Sequence, residues 1–221
     1  MSESIDVQLE SICAGLRDQL AATNGAREAA LRVCRTTIQG AARSIRAAHR
    51  GDMERATAQL EDCSRAFDEA KRKLAGQPQL LHAGYMHDAE KEVAEAALFL
   101  AIVGGKPLPG ADDLGADPAA WLRGLAEAAS ECRRYALDRL RDGELDTADA
   151  TLDVMEAVYS MLITFDFPDA ITGGLRATTD QFRAVLERTR GDVTLAVVQR
   201  RLEQAVREMH ALALPEHAAG D

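Results

Sequence analysis

Helical periodicity runs through this chain almost from end to end, and nothing in it competes for a sheet. No sustained alternation of apolar and polar residues occurs, and no turn dipeptide joins two β-branched runs. Only 6 prolines and 4% aromatics stand in 221 residues, so little interrupts a helix or builds a strand face. The pattern therefore predicts an all-α bundle of about seven to eight helices. The stop signals place these helices at Ile5–Ala22, Arg27–His49, Met53–Leu74, Leu80–Val103, Pro118–Arg141, Asp146–Phe165 and Ala170–Arg190. A last one opens at Gly191-Asp192 and ends near Leu214-Pro215. The breaks fall at Thr23-Asn24-Gly25, Gly51-Asp52, Gly76-Gln77-Pro78, Asp142-Gly143 and Phe167-Pro168-Asp169, with a bend at Gly173-Gly174. Asp52 and Asp117 are placed as N-caps, and Pro118 as a first-turn residue. The stretch GGKPLPGADDLGADP is the one substantial loop.

This length suits one domain over 1–221, with a core of about 26–210 and a flexible tail of about 215–221. No apolar run approaches the ~18 residues of a membrane span, and the first residues lack a secretory pattern. Four widely spaced cysteines without a CxxC read as reduced thiols in or near a core. A cytoplasmic protein with no membrane partner is the expectation.

Two acidic pairs carry the chemistry. Glu92 and Glu95 lie in KEVAEAALF, and Glu127 and Glu131 lie in GLAEAASECRR. Spacings of three and four put each pair on one helix face, where like charges repel. With 36 acids in the chain, such pairs also arise on ordinary solvated faces. Here they sit among alanine, valine, leucine and cysteine, which suits close packing. Two such faces brought together would offer an all-oxygen site for Mg²⁺ or Mn²⁺.

The net charge of −10 argues against a uniformly basic surface, yet from Arg27 to Arg50 only Glu28 is acidic. Arg32, Arg35, Arg43, Arg46 and Arg50 approximate one stripe, which is either an ordinary charged face or a holder of phosphates. His87, little more than a turn before the first acids, reads as a surface histidine or as a group orienting substrate or water. Serine-nucleophile, phosphate-loop and dinucleotide signatures are absent, and neither acidic helix supplies the Glu-x-x-His of redox metal bundles.

Three blocks in this order resemble the translin / translin-associated factor X family, in particular its archaeal single-gene members: REAALRVCRTTIQGAARSIRAAHRGD, GYMHDAEKEVAEAALF and GLAEAASECRRYALDRLRDGELDTA. The segment FPDAITGGLRATTDQFRAVLERTRGDVT resembles the same group's C-terminal helices, so the likeness spans about Ala26 to Leu202. It implies a translin-like bundle that assembles into a closed homo-oligomer, often an octamer, and binds single-stranded RNA or DNA. In translin-associated factor X, four carboxylates on two helices form a divalent-metal site that cleaves RNA. Glu92, Glu95, Glu127 and Glu131 fall on those positions, which implies a metal-dependent endoribonuclease with these four as metal ligands and catalytic residues. Translin itself implies the alternative, nucleic-acid binding without catalysis. Glu127 departs from the aspartate usual there and lengthens that arm by one methylene. Arg43, Arg46 and Arg50 are the expected RNA contacts.

Overall fold

The computed structural model describes residues 4–213, and among these there are eight helices and no strand. They are α1 (Ile5–His49), α2 (Met53–Lys73), α3 (Pro78–Leu81), α4 (Gly84–Val103), α5 (Pro118–Arg141), α6 (Leu145–Leu162), α7 (Asp169–Thr172) and α8 (Leu175–Ala213). The expected end of the last helix near Leu214-Pro215 and the tail 215–221 lie outside the described residues.

The all-α reading holds, and the helices are divided differently. Two expected breaks are absent. Thr23-Asn24-Gly25 is inside the 45-residue α1, where Thr23 Oγ1 donates to the Gln19 carbonyl at 3.0 Å and leaves the backbone ladder intact. Gly191-Asp192 is inside the 39-residue α8, and Asp192 pairs with Arg133 of α5 at 2.8 Å where a helix start was expected. A lone helical glycine costs about 1 kcal/mol, too little to end a helix whose neighbours on both sides are strong formers.

Two breaks are sharper than expected. Pro78–Leu81 is a separate short helix before α4, and Gly173 and Gly174, with φ of 59° and 89°, end α7 outright. Backbone of that hand favours glycine. α6 also ends at Leu162, three residues early. Asp52 and Asp117 do cap their helices, accepting from the Arg55 and Ala119 N–H groups at 3.1 and 2.9 Å.

α1 packs on α2 and α4, α4 on α5, and α5 on α6 and α8, which also meet each other. One large core joins Ile45, Leu98, Phe99, Leu125, Met155, Phe182 and Leu186, and a smaller one holds Cys34, Phe67, Leu74 and Met86. Cys34, Cys63 and Cys132 are buried, and burial pushes the Cys34 thiol up to about 11.

Glycine sets the closest helix crossings. A Cβ at Gly40 would stand 2.5 Å from Cys63 Cβ on α2. At Gly124 it would stand 2.8–2.9 Å from Ala94 Cβ, the Glu95 nitrogen and the Lys91 oxygen on α4.

The ends of the longest helices leave the bundle. On α1 the first buried residue is Ala30, and Ile5, Leu9, Ile12, Leu16 and Leu20 are each at least half exposed. Leu195, Val198, Leu202, Val206 and Met209 form a comparable exposed stripe on α8. Among the described residues no helix is long and apolar enough to cross a membrane.

Candidate metal centre

The α4–α5 crossing is where the two acidic pairs meet. Because residue 124 has no side chain, α5 lies against the backbone of α4 at Lys91, Ala94 and Glu95. One turn on from Gly124, Glu127 then faces the acids of α4. One carboxylate oxygen each of Glu92, Glu95 and Glu127 lie within 4.8 Å of one another, and all three side chains are half-buried. Oxygens on opposite sides of a Mg²⁺ ion stand about 4.2 Å apart, so small side-chain rotations would close these three on one ion.

Glu131, a further turn along α5, is held from a third helix. Its Oε1 is 2.5 Å from Nε2 of His49, near the end of α1. The His49 side chain is 1% exposed, its ring lies 4.9 Å from that of Phe99, and its Nδ1 is buried without a partner. The pair is therefore fixed by packing as well as by its hydrogen bond.

Lys91 completes the arrangement. Its ammonium bonds Glu127 Oε2 in a short contact and Glu92 Oε1 at 3.0 Å, and the residue is buried. Burial alone would lower its pKa, but the two carboxylates outweigh that and raise it, so Lys91 stays charged. Among the described residues the Glu95 side chain makes no hydrogen bond. Burial first, then repulsion from Glu92 and Glu127, push its carboxyl up to about 8; Lys91 offsets part of this and Glu131 adds to it.

The structure thus brings Glu92, Glu95 and Glu127 into one cluster, with Glu131 beside it and engaged by His49. His87 sits elsewhere: its ionic contact, at 3.9 Å, is with Glu90, which also binds Lys71 and the Asp117 N–H. The histidine of the site is His49, which the sequence pattern did not single out. Its position just after two alanines was the available signal, since small residues mark the side of α1 that approaches other helices. Lys91 and Gly124 were missed as well. Each is ordinary in a helical string, and only the crossing gives them meaning.

Arg43, Arg46 and Arg50 are exposed, as are Arg32 and Arg35, and among the described residues none of the five makes an ion pair. At ~100° per residue their stripe lies about 80° around α1 from His49, next to the acidic cluster but not in it. Arg43 also shares a groove between α1 and α2 with Arg55, Thr36 and Gln59.

No protein-family model matches the chain. AfC3PO, solved in complex with duplex RNA, is 33% identical, with a TM-score of 0.79 over 85% of this chain and 97% of that one. A second structure of AfC3PO gives 34% identity and a TM-score of 0.78, over 85% and 98%. Apo-NeC3PO shares the fold at a TM-score of 0.75 over 89% and 100%, with 15% identity. An uncharacterized protein of Methanocaldococcus jannaschii, MJ0175, is 25% identical over 198 residues, 88% of this chain and 86% of that protein.

Proposed function

Because the chain belongs to the translin / translin-associated factor X family, alongside the archaeal C3PO proteins, we propose that it binds RNA and cleaves single strands as a divalent-metal-dependent endoribonuclease. The observation that carries this reading is the convergence of Glu92, Glu95 and Glu127 from two helices within 4.8 Å. Those three would hold Mg²⁺ or Mn²⁺, and Glu131 would complete the set through the oxygen that His49 leaves free. The chemistry supplied by the bound ion would be activation of a water and neutralisation of charge at the scissile phosphate. Oxygen-only donors suit such hard cations and disfavour zinc.

The chain's own groups do the rest. His49 fixes the orientation of Glu131, and with it the oxygen that Glu131 turns toward the cluster. Lys91 bridges Glu92 and Glu127 and offsets their repulsion by bonding both. The unpaired arginines of α1 give RNA a backbone contact with little sequence preference. The RNA duplex bound to AfC3PO supports a nucleic-acid ligand for this fold.

The test is cleavage of end-labelled single-stranded RNA with Mg²⁺ or Mn²⁺, repeated in EDTA, beside Glu95→Ala. Cutting that requires metal and is lost in the variant is expected. Cutting that survives in Glu95→Ala would sink the assignment. Lys91 favours the second reading, binding without catalysis, because it already bonds two of the acids without any metal. Under that reading RNA is retained but uncut when metal is restored.

RNA contact by α1 has its own signature. Replacing Arg43, Arg46 and Arg50 together by glutamine should weaken binding and make the slope of log affinity against log salt shallower by about 2. A slope equal to wild type would place the RNA elsewhere.

The same reading includes self-association into a closed particle, an octamer. The two protruding arms support it, since long apolar stripes at three- and four-residue spacing otherwise face water. Residues 5–24 carry three acids and one arginine, while 195–211 carry three arginines and two acids, so the arms attract. Leu9→Glu with Leu16→Glu is expected to lower the particle mass in light scattering while the circular dichroism stays helical. An unchanged mass would remove the α1 arm from the interface.

A further inference from the structure

We propose that Lys91 is the second cation of the acidic centre, so that each chain takes one divalent ion where a two-metal site would take two. The inference rests on the metal reading above and adds the stoichiometry to it. In two-metal sites the ions stand roughly 3.5–4 Å apart and share carboxylates that bridge them. Here the carboxylates available to bridge α4 and α5 are Glu92 and Glu127, and one oxygen of each is bonded to the Lys91 ammonium. The free oxygens of these two, together with Glu95, leave coordination for a single ion.

Lys91 is not placed to swing aside. Its residue is 8% exposed, and its carbonyl lies at the tightest point of the helix crossing, 2.9 Å from where a Gly124 Cβ would be. The fixed ammonium would also face the scissile phosphate without needing to be recruited from solvent, as a bound ion does.

The experiment counts Mn²⁺ on the full-length chain by calorimetric titration and electron paramagnetic resonance, with no RNA present. Wild type is expected to bind one ion per chain, with the spectrum of an isolated Mn²⁺. Lys91→Met is expected to bind two coupled ions, or to bind its single ion at least about tenfold more tightly, because a nearby positive charge has gone. Lys91→Arg should stay at one. Two ions on wild type would overturn the inference and leave the metal reading standing. A Lys91→Met protein with unchanged count and affinity would also overturn it. No ion on wild type would instead bring down the metal reading itself, and the inference with it. Should Lys91→Met fail to fold, the count on wild type and on Lys91→Arg still decides.

Discussion

Gly124→Val will cost about 3 kcal/mol of folding stability, at the upper end for overpacking, and will weaken Mn²⁺ binding at least tenfold. The atoms that a side chain would strike are the Ala94 Cβ and the backbone of Lys91 and Glu95, at 2.8–2.9 Å. Backbone in mid-helix cannot rotate away as a side chain would, so α4 and α5 must separate. Separation moves Glu127 from Glu92 and Glu95, and ligands displaced by about an ångström no longer close on one ion. Urea unfolding reads the first effect, as a lower midpoint at unchanged slope. Calorimetric titration reads the second. Gly191→Ala is the control: no heavy atom lies within 4 Å of its Cβ position, and it should stabilise α8 by about 0.5–1 kcal/mol. If Gly124→Val unfolds at the wild-type midpoint, glycine is not what sets the helix separation.

The glycines also show what was legible in the sequence. Helix content was plain, because periodicity and composition agree over long windows, and the Asp52 and Asp117 caps announce themselves locally. Gly25 and Gly191 were misread as stops and Gly124 was passed over, yet all three lie inside helices. What separates them is what each one faces, which is empty space for the first two and a neighbouring backbone for the third. No local pattern records that.

The acidic pairs were visible from spacing, while the distance between them was not. His49 and Lys91 show the same limit from the other side. Each reaches an acid on α5, 82 and 36 residues away in the chain, so neither contact has a local signature. The order of the sequence blocks pointed to a family, and through it to the crossing that periodicity alone could not supply.

The pH behaviour of Glu95 gives the other large effect. In the metal-free protein its carboxyl is held at about 8, chiefly by burial and then by Glu92 and Glu127, against 4.5 for the free side chain. The sign follows from proton counts. Between these values the folded state keeps a proton that the unfolded state releases, so this group's contribution to stability is fully present below 4.5 and is lost as pH rises through 8. Thermal stability of the metal-free protein should therefore fall over that window, and Glu95→Gln, which mimics the protonated acid, should flatten the fall. A divalent ion reverses the balance, because it needs the carboxylate and takes the place of the proton. Mn²⁺ binding at pH 7 should release about one proton per ion, read as a dependence of the heat on the buffer's ionisation enthalpy. Saturating Mn²⁺ should remove most of the pH dependence of unfolding as well. Release of no proton, or a Glu95→Gln protein that keeps both the slope and the ion, would show that Glu95 is not among the ligands. The cluster's apparent metal affinity is then itself a pH-dependent quantity, weak in mild acid and complete above 8. A cleavage assay run only at low pH would report a binding-only protein for that reason alone.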